Sequence, residues 1–158
     1  CHARRADRAR GRRDRGRRPR LEPRPAPGAA RRARPPREAH ARRAVAGAPG
    51  RAATQAQLGF LLVQRPGDAL AEAEGGARLA LAGRLGPTVS TILLMRGEWA
   101  LVQLSRTGDP ERAREAVDLL AQALRREPSL RATIKQALDR RQALLGAQGD
   151  AVRKQLGL

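Results

Sequence analysis

One stretch of the chain, residues 106–128, carries both the start and the stop signal of an α-helix. It reads RTGDPERAREAVDLLAQALRREP. Gly108 tolerates the backbone that ends a preceding helix, and Asp109 can cap the next helix by accepting hydrogen bonds from its free N–H groups. Pro110 stands at the first helical position, where its missing N–H costs nothing. Pro128 stops the helix, because the residue before a proline avoids helical geometry.

The same pattern recurs 41 residues earlier in the chain. When residues 65–88 are aligned with residues 106–129, nine of the 24 positions are identical. A second shift of the same size reaches a third Gly-Asp pair, so the chain carries about two and a half copies of a repeat. The positions that mark the repeat are Gly67, Asp68, Pro87, Trp99, Gly108, Asp109, Pro110, Leu120, Pro128, Gly149 and Asp150.

Each copy is predicted to hold two helices joined by a turn. In the second copy, the first helix runs from about residue 89 to residue 106, with Thr88 as its cap. Its apolar residues cover most of its circumference, which is typical of a helix buried between neighbours, and Trp99 is interpreted as a core residue. The second helix carries one apolar stripe, in which full burial of Leu120 contributes about 1.5–3 kcal/mol.

Stacking such hairpins buries faces that a single hairpin leaves exposed. The sequence therefore predicts an all-α fold, in which helix-turn-helix repeats stack as a short α-solenoid over residues 52–158. The copies lie at about 52–87, 88–128 and 129–158, and the polar residues Arg140 and Arg141 mark the last one as a terminal repeat. Two apolar columns are expected in the core: Val63, Leu104 and Leu145, and Ala52, Leu93 and Ile134.

Residues 1–51 have a different composition, with 18 Arg and four acidic residues. Low hydrophobicity and high charge predict a disordered Arg/Pro-rich segment. Clustered Arg could bind nucleic acid nonspecifically and with strong salt dependence, although no aromatic residue is present there to stack on bases. The preference for Arg over Lys, together with many Ala, Gly and Pro residues, also fits the codon bias of a GC-rich genome.

Catalytic chemistry finds no support in the sequence. The only histidines, His2 and His40, and the only cysteine, Cys1, lie in the Arg-rich segment. Ser129 is interpreted as a helix cap, since the folded part offers no His to activate a serine. We expect no enzyme activity, no catalytic residue, no cofactor and no metal site. No secretory signal or membrane-spanning run is visible, so a cytoplasmic protein without membrane contact is expected.

The chain resembles the tetratricopeptide repeat family over about residues 52–158. The resemblance depends on Trp99 and Val102 on the first helix, on the Gly108–Asp109 turn, on small residues of the second helix, and on Pro128. The family repeats every 34 residues, whereas the period here is longer and is similar to repeats in bacterial regulators and actinobacterial signalling proteins. The resemblance implies a scaffold that binds peptides or protein surfaces in a groove, without catalysis.

Polar positions of the inner helices are the candidates for contact with a partner. Gln55 and Arg96 share one column of the repeat, and Gln103 lies seven residues beyond Arg96 on the same stripe. The leading hypothesis is a protein-interaction scaffold, part of a larger bacterial regulatory or signalling protein. Two alternatives are nonspecific nucleic-acid binding through residues 1–51, and a helical appendage to an enzyme outside this fragment.

Overall fold

α-Helices account for nearly all regular structure in the computed structural model, which describes residues 36–158. No strand occurs within that range, which confirms the all-α prediction. Pro128–Leu130 forms one turn of 3-10 helix. The α-helices are α1 (Pro36–Gly47), α2 (Ala52–Val63), α3 (Ala69–Leu85), α4 (Ser90–Thr107), α5 (Pro110–Arg126), α6 (Arg131–Asp139), α7 (Gln142–Leu145) and α8 (Ala147–Leu156).

The 41-residue repeat is visible in the bounds of α3 and α5. Both the first and the last residue of α5 stand 41 positions after their counterparts in α3. Asp68 accepts a hydrogen bond from the N–H of Ala71 at 2.9 Å, and Asp109 accepts one from the N–H of Glu111 at 2.9 Å. The preceding glycine of each turn has a positive φ, 76° in the first copy and 67° in the second. The turn signals therefore act as predicted in the first two copies.

Small residues allow the two helices of each hairpin to approach closely. A Cβ atom added to Gly75 of α3 would lie only 2.8 Å from the carbonyl oxygen of Gly59 in α2. The equivalent pair in the second copy is Ala100 and Ala116, which are 1% and 0% exposed. Small residues thus occupy equivalent buried positions in hairpins α2–α3 and α4–α5.

The predicted core columns are largely confirmed. Every residue of the column Val63, Leu104 and Leu145 is buried, and so are Leu93 and Ile134. Only Ala52, at the start of α2, is partly exposed. Leu120 is 1% exposed within the largest apolar cluster, which joins α4 and α5 to the C-terminal helices.

Helix α1 departs from the predicted disorder of residues 1–51. Residues 36–47 are helical, and Ala41 and Val45 pack against Leu58 and Leu62 of α2. The spacing of the few apolar residues in this segment is helical, but their low number concealed the helix. The remainder of the predicted disordered segment, residues 1–35, lies outside the described residues.

A network of ion pairs connects α1 to the first hairpin. Arg42 of α1 donates to Glu38 at 2.9 Å and, through both terminal nitrogens, to Glu74 of α3 at 2.9 and 2.8 Å. Arg78 also donates to Glu74, at 2.9 Å. The hydrogen bond from Arg42, helped by that from Arg78, lowers the pKa of Glu74 to about 2 despite the opposing effect of burial.

The third copy differs from the predicted repeat. Gly149 and Asp150 lie inside α8, so they do not form the expected turn. The turn falls three residues earlier, at Gly146, whose φ is 52°. The expected long helix is also broken into α6 and α7 at Arg140 and Arg141, where the amide of Arg141 donates to the carbonyl of Leu138, three residues back, at 3.0 Å.

Two predicted helix caps are also wrong. The cap position of α4 is Val89, which makes no side-chain hydrogen bond, so Thr88 does not cap it. The hydroxyl of Ser90 instead donates to the carboxylate of Glu127, which follows α5. Ser129 also donates to Glu127, at 3.3 Å, and lies within the 3-10 turn. Glu127 therefore accepts hydrogen bonds from the hydroxyl groups of Ser90 and Ser129, of which only Ser129 was predicted to be a helix cap.

Candidate binding grooves around Trp99

Trp99 lies between two cavities and does not belong to the closed core. Its side chain is partly exposed on α4, and the guanidinium of Arg106 stands 6.0 Å from its ring centroid. The interpretation of Trp99 as a core residue is therefore wrong. The reason is the small residue facing it on α3, Gly76, from which an added Cβ would still be 3.5 Å from the indole nitrogen.

The first cavity, here called the lateral groove, has a volume of about 520 Å³ and lies between α3, α4 and α5. Its α3 wall consists mostly of small residues, among them Ala73 and Gly76, together with Glu72 and Leu79. Its α4 wall consists of Arg96, Trp99 and Gln103, which follow one another on a single helical stripe. The shape is a trench with a smooth wall opposite a wall of long side chains.

Two of the three predicted contact residues meet in the lateral groove. Arg96 and Gln103 both line it and are partly exposed. Gln55 does not, since it is only 3% exposed. Its side-chain amide donates to the carbonyl of Pro49 at 2.7 Å and accepts from Arg78 at 2.9 Å. Gln55 is thus a structural link, and its expected role in partner contact is corrected.

Most charged side chains of the lateral groove form ion pairs, but one does not. Glu72 pairs with Arg106 at 2.5 Å, and Arg112 pairs with Glu115 at 2.6 Å. Arg96 makes no ion pair with any carboxylate of residues 36–158, and its guanidinium lies across Gly83. The groove therefore offers one uncompensated cation beside an indole ring.

The second cavity, here called the inner cavity, lies between α2, α4 and the start of α7 and has a volume of about 390 Å³. Its apolar wall includes Phe60, Val63 and Trp99, and Glu98 and Arg141 stand on the polar side. An adjoining recess of about 450 Å³ shares part of this lining and adds Arg140. The single Phe and the single Trp of the chain thus line one cavity.

Glu98 is the unusual group of the inner cavity. Its side chain is 15% exposed, and its nearest cation is Arg141 at 3.6 Å. No described residue donates a hydrogen bond to its carboxylate. Burial raises the pKa of Glu98, and the positive charges of Arg141 and Arg140 offset only part of this effect. The partly buried carboxylate is therefore open to hydrogen bonds from water or from a ligand.

Sequence reasoning missed the inner cavity for a clear reason. Glu98 comes from the second copy and Arg140 and Arg141 from the third, and the arginines were interpreted as the polar face of a terminal helix. One signal was available, because Glu98 is the only acidic residue in the strongly apolar α4. A lone carboxylate in such a helix indicates a specific partner.

Other classes of site are not seen in the part of the chain that the structure describes. Residues 36–158 hold no cluster of three or more His, Cys, Asp or Glu side chains suited to a metal ion. Within the same range, no helix is both long enough and apolar enough to cross a membrane.

No protein-family model, curated protein or solved structure matches the chain.

Proposed function

We propose that residues 36–158 form a non-catalytic interaction module, which binds an extended or helical segment of a partner protein in the lateral groove. The observation that carries the proposal is the α4 stripe of Arg96, Trp99 and Gln103, which faces a wall of small α3 residues across an open trench. In this proposal the chain is a long-period relative of the tetratricopeptide repeats.

The chemistry of the groove defines the partner segment. An apolar side chain would cover the exposed part of Trp99, and aromatic residues are favoured anchors in protein interfaces. An acidic side chain three or four residues away on a helix, or two on a strand, would pair with Arg96. The amide of Gln103 can both donate to and accept from the partner's backbone. The proposed partner is therefore a short segment that combines acidic and apolar residues.

A displayed peptide library, selected against the full chain, tests this proposal. Trp99 is the only tryptophan, so its fluorescence reports binding beside its ring, and the variants assign that binding to the lateral groove. Gly76→Leu is the informative variant, because its side chain would extend into the groove from a position with no close contact. Arg114→Ala, on an exposed face of α5, is the matched control.

We expect selected peptides to be rich in acidic and apolar residues, and to lose at least tenfold in affinity for Gly76→Leu but not for Arg114→Ala. Arg96→Ala should weaken the same peptides by about tenfold, the usual effect of losing a charge-assisted hydrogen bond. Peptides that bind Gly76→Leu as tightly as the parent chain would show that the lateral groove is not the binding surface.

A further inference from the structure

The inner cavity presents an acid and a base side by side, next to an apolar wall. The Glu98 carboxylate and the Arg141 guanidinium are 3.6 Å apart, so each is close to the other without a hydrogen bond between them. Arg141 uses one terminal nitrogen to donate to the carbonyl of Ala137 at 3.0 Å. Its other nitrogen faces Glu98. Arg140, in the adjoining recess, forms no ion pair with a described carboxylate.

An adjacent carboxylate and guanidinium are complementary to a ligand whose own charges are equally close. The ammonium and carboxylate groups of a free α-amino acid are separated by a single carbon atom. The ammonium would supply the hydrogen-bond donors that Glu98 lacks, and the carboxylate would accept from Arg141 and Arg140. Such a pairing gives both Glu98 and Arg141 a partner of opposite charge, whereas a purely anionic or purely cationic ligand would leave one of them without such a partner.

The apolar wall of the inner cavity defines the ligand's side chain. Phe60, Val63, Val102 and Trp99 form an apolar surface, and the volume of about 390 Å³ accommodates a large side chain. Apolar contact with two aromatic rings favours an aromatic or branched aliphatic group. A small or charged side chain would leave this wall exposed to water.

We infer that the inner cavity is a binding site for a free α-amino acid with a large apolar side chain. Glu98 binds its ammonium, Arg140 and Arg141 bind its carboxylate, and the wall around Phe60 and Trp99 holds its side chain. This site shares Trp99 with the lateral groove, but its charged residues are different ones, and it does not depend on the function proposed for that groove.

Titration of the full chain with L-phenylalanine, with selective excitation of Trp99, tests this inference. Two derivatives serve as matched probes: N-acetyl-L-phenylalanine lacks the ammonium, and L-phenylalaninamide lacks the carboxylate. We expect saturable binding of L-phenylalanine, and at least tenfold weaker binding of either derivative. Glycine, which has no side chain, should bind at least tenfold more weakly than L-phenylalanine.

Variants separate the site from other basic regions of the chain. Glu98→Gln removes the charge and keeps the shape, so the variant should fold, and its affinity for L-phenylalanine should fall at least tenfold. Arg140→Ala should reduce the affinity several-fold. Arg114→Ala should leave it unchanged, since Arg114 lies outside the inner cavity.

The inference fails if neither L-phenylalanine nor L-leucine binds saturably to the unaltered chain. It also fails if Glu98→Gln binds as the unaltered chain does, or if either derivative matches the free amino acid. Because the peptide test uses Gly76→Leu and the amino-acid test uses Glu98→Gln, failure of one leaves the other result interpretable.

Discussion

The neighbouring glycines Gly75 and Gly76 of α3 should respond in opposite directions to the same added methyl group. In Gly75→Ala the new Cβ would lie 2.8 Å from the carbonyl oxygen of Gly59 and 2.9 Å from the amide nitrogen of Val63. Both contacts are with the backbone of α2, so they are relieved only by moving the two helices apart. Overpacking of this kind costs about 1–3 kcal/mol.

The gain in helix propensity only partly offsets that cost. Replacing a helical Gly by Ala stabilises by about 1 kcal/mol, so Gly75→Ala should lose up to about 2 kcal/mol of unfolding free energy. Gly76→Ala gains the same propensity, and its Cβ meets only the indole nitrogen of Trp99 at an ordinary 3.5 Å. This variant should therefore gain about 0.5–1 kcal/mol.

Urea unfolding followed by far-UV circular dichroism measures both changes under identical conditions. The two substitutions alter the unfolded chain equally, so their difference isolates the contact between α2 and α3. If Gly75→Ala is as stable as Gly76→Ala, the close crossing of α2 and α3 at Gly59 is refuted. The substitution Gly59→Ala should reproduce the loss, because the same contact is approached from the other helix.

Three further predictions concern the charged groups and the core. Because the pKa of Glu74 is lowered to about 2, its ionised form stabilises the fold above its ordinary pKa, and this contribution is lost as the pH falls towards 2. Glu74→Gln should cost about 1 kcal/mol at pH 7 after allowance for solvent screening, and urea titrations at several pH values should show this difference vanish in acid. Burial raises the pKa of Glu98, so its ionised form destabilises the fold. Glu98→Gln should therefore raise the Tm at neutral pH, and the increase in Tm should become smaller in acid, where Glu98 is protonated. Leu120→Ala should cost about 2–5 kcal/mol, whereas Arg114→Ala should change stability by less than about 0.5 kcal/mol; equal melting temperatures would contradict the burial of Leu120.

Local signals made the first two copies predictable. Gly108, Asp109 and Pro110 each act through their own backbone conformation or hydrogen bonding, and such effects are readable from neighbouring residues. The third copy was harder to predict. Gly149 has the spacing of a repeat turn, but the turn lies at Gly146 because the preceding helix breaks after α6. That break falls at Arg140 and Arg141, and no turn residue in this stretch marks it in the sequence.

The binding surfaces were only partly predictable for a related reason. Helical spacing correctly placed Arg96 and Gln103 on one stripe. Spacing does not reveal which neighbour covers a stripe, and the loop after α1 covers Gln55. Glu98 and Arg141 meet only because α4 and α7 are adjacent, so their proximity could not be read from either copy alone.

The trench beside Trp99 is the surface proposed to bind a partner, and one measurement tests this most directly. It is the affinity of a library-selected peptide for the unaltered chain and for Gly76→Leu, measured through Trp99 fluorescence. We expect at least tenfold weaker binding when the leucine side chain fills the trench, with the fold intact by circular dichroism. Equal affinity for the two proteins would contradict the proposal.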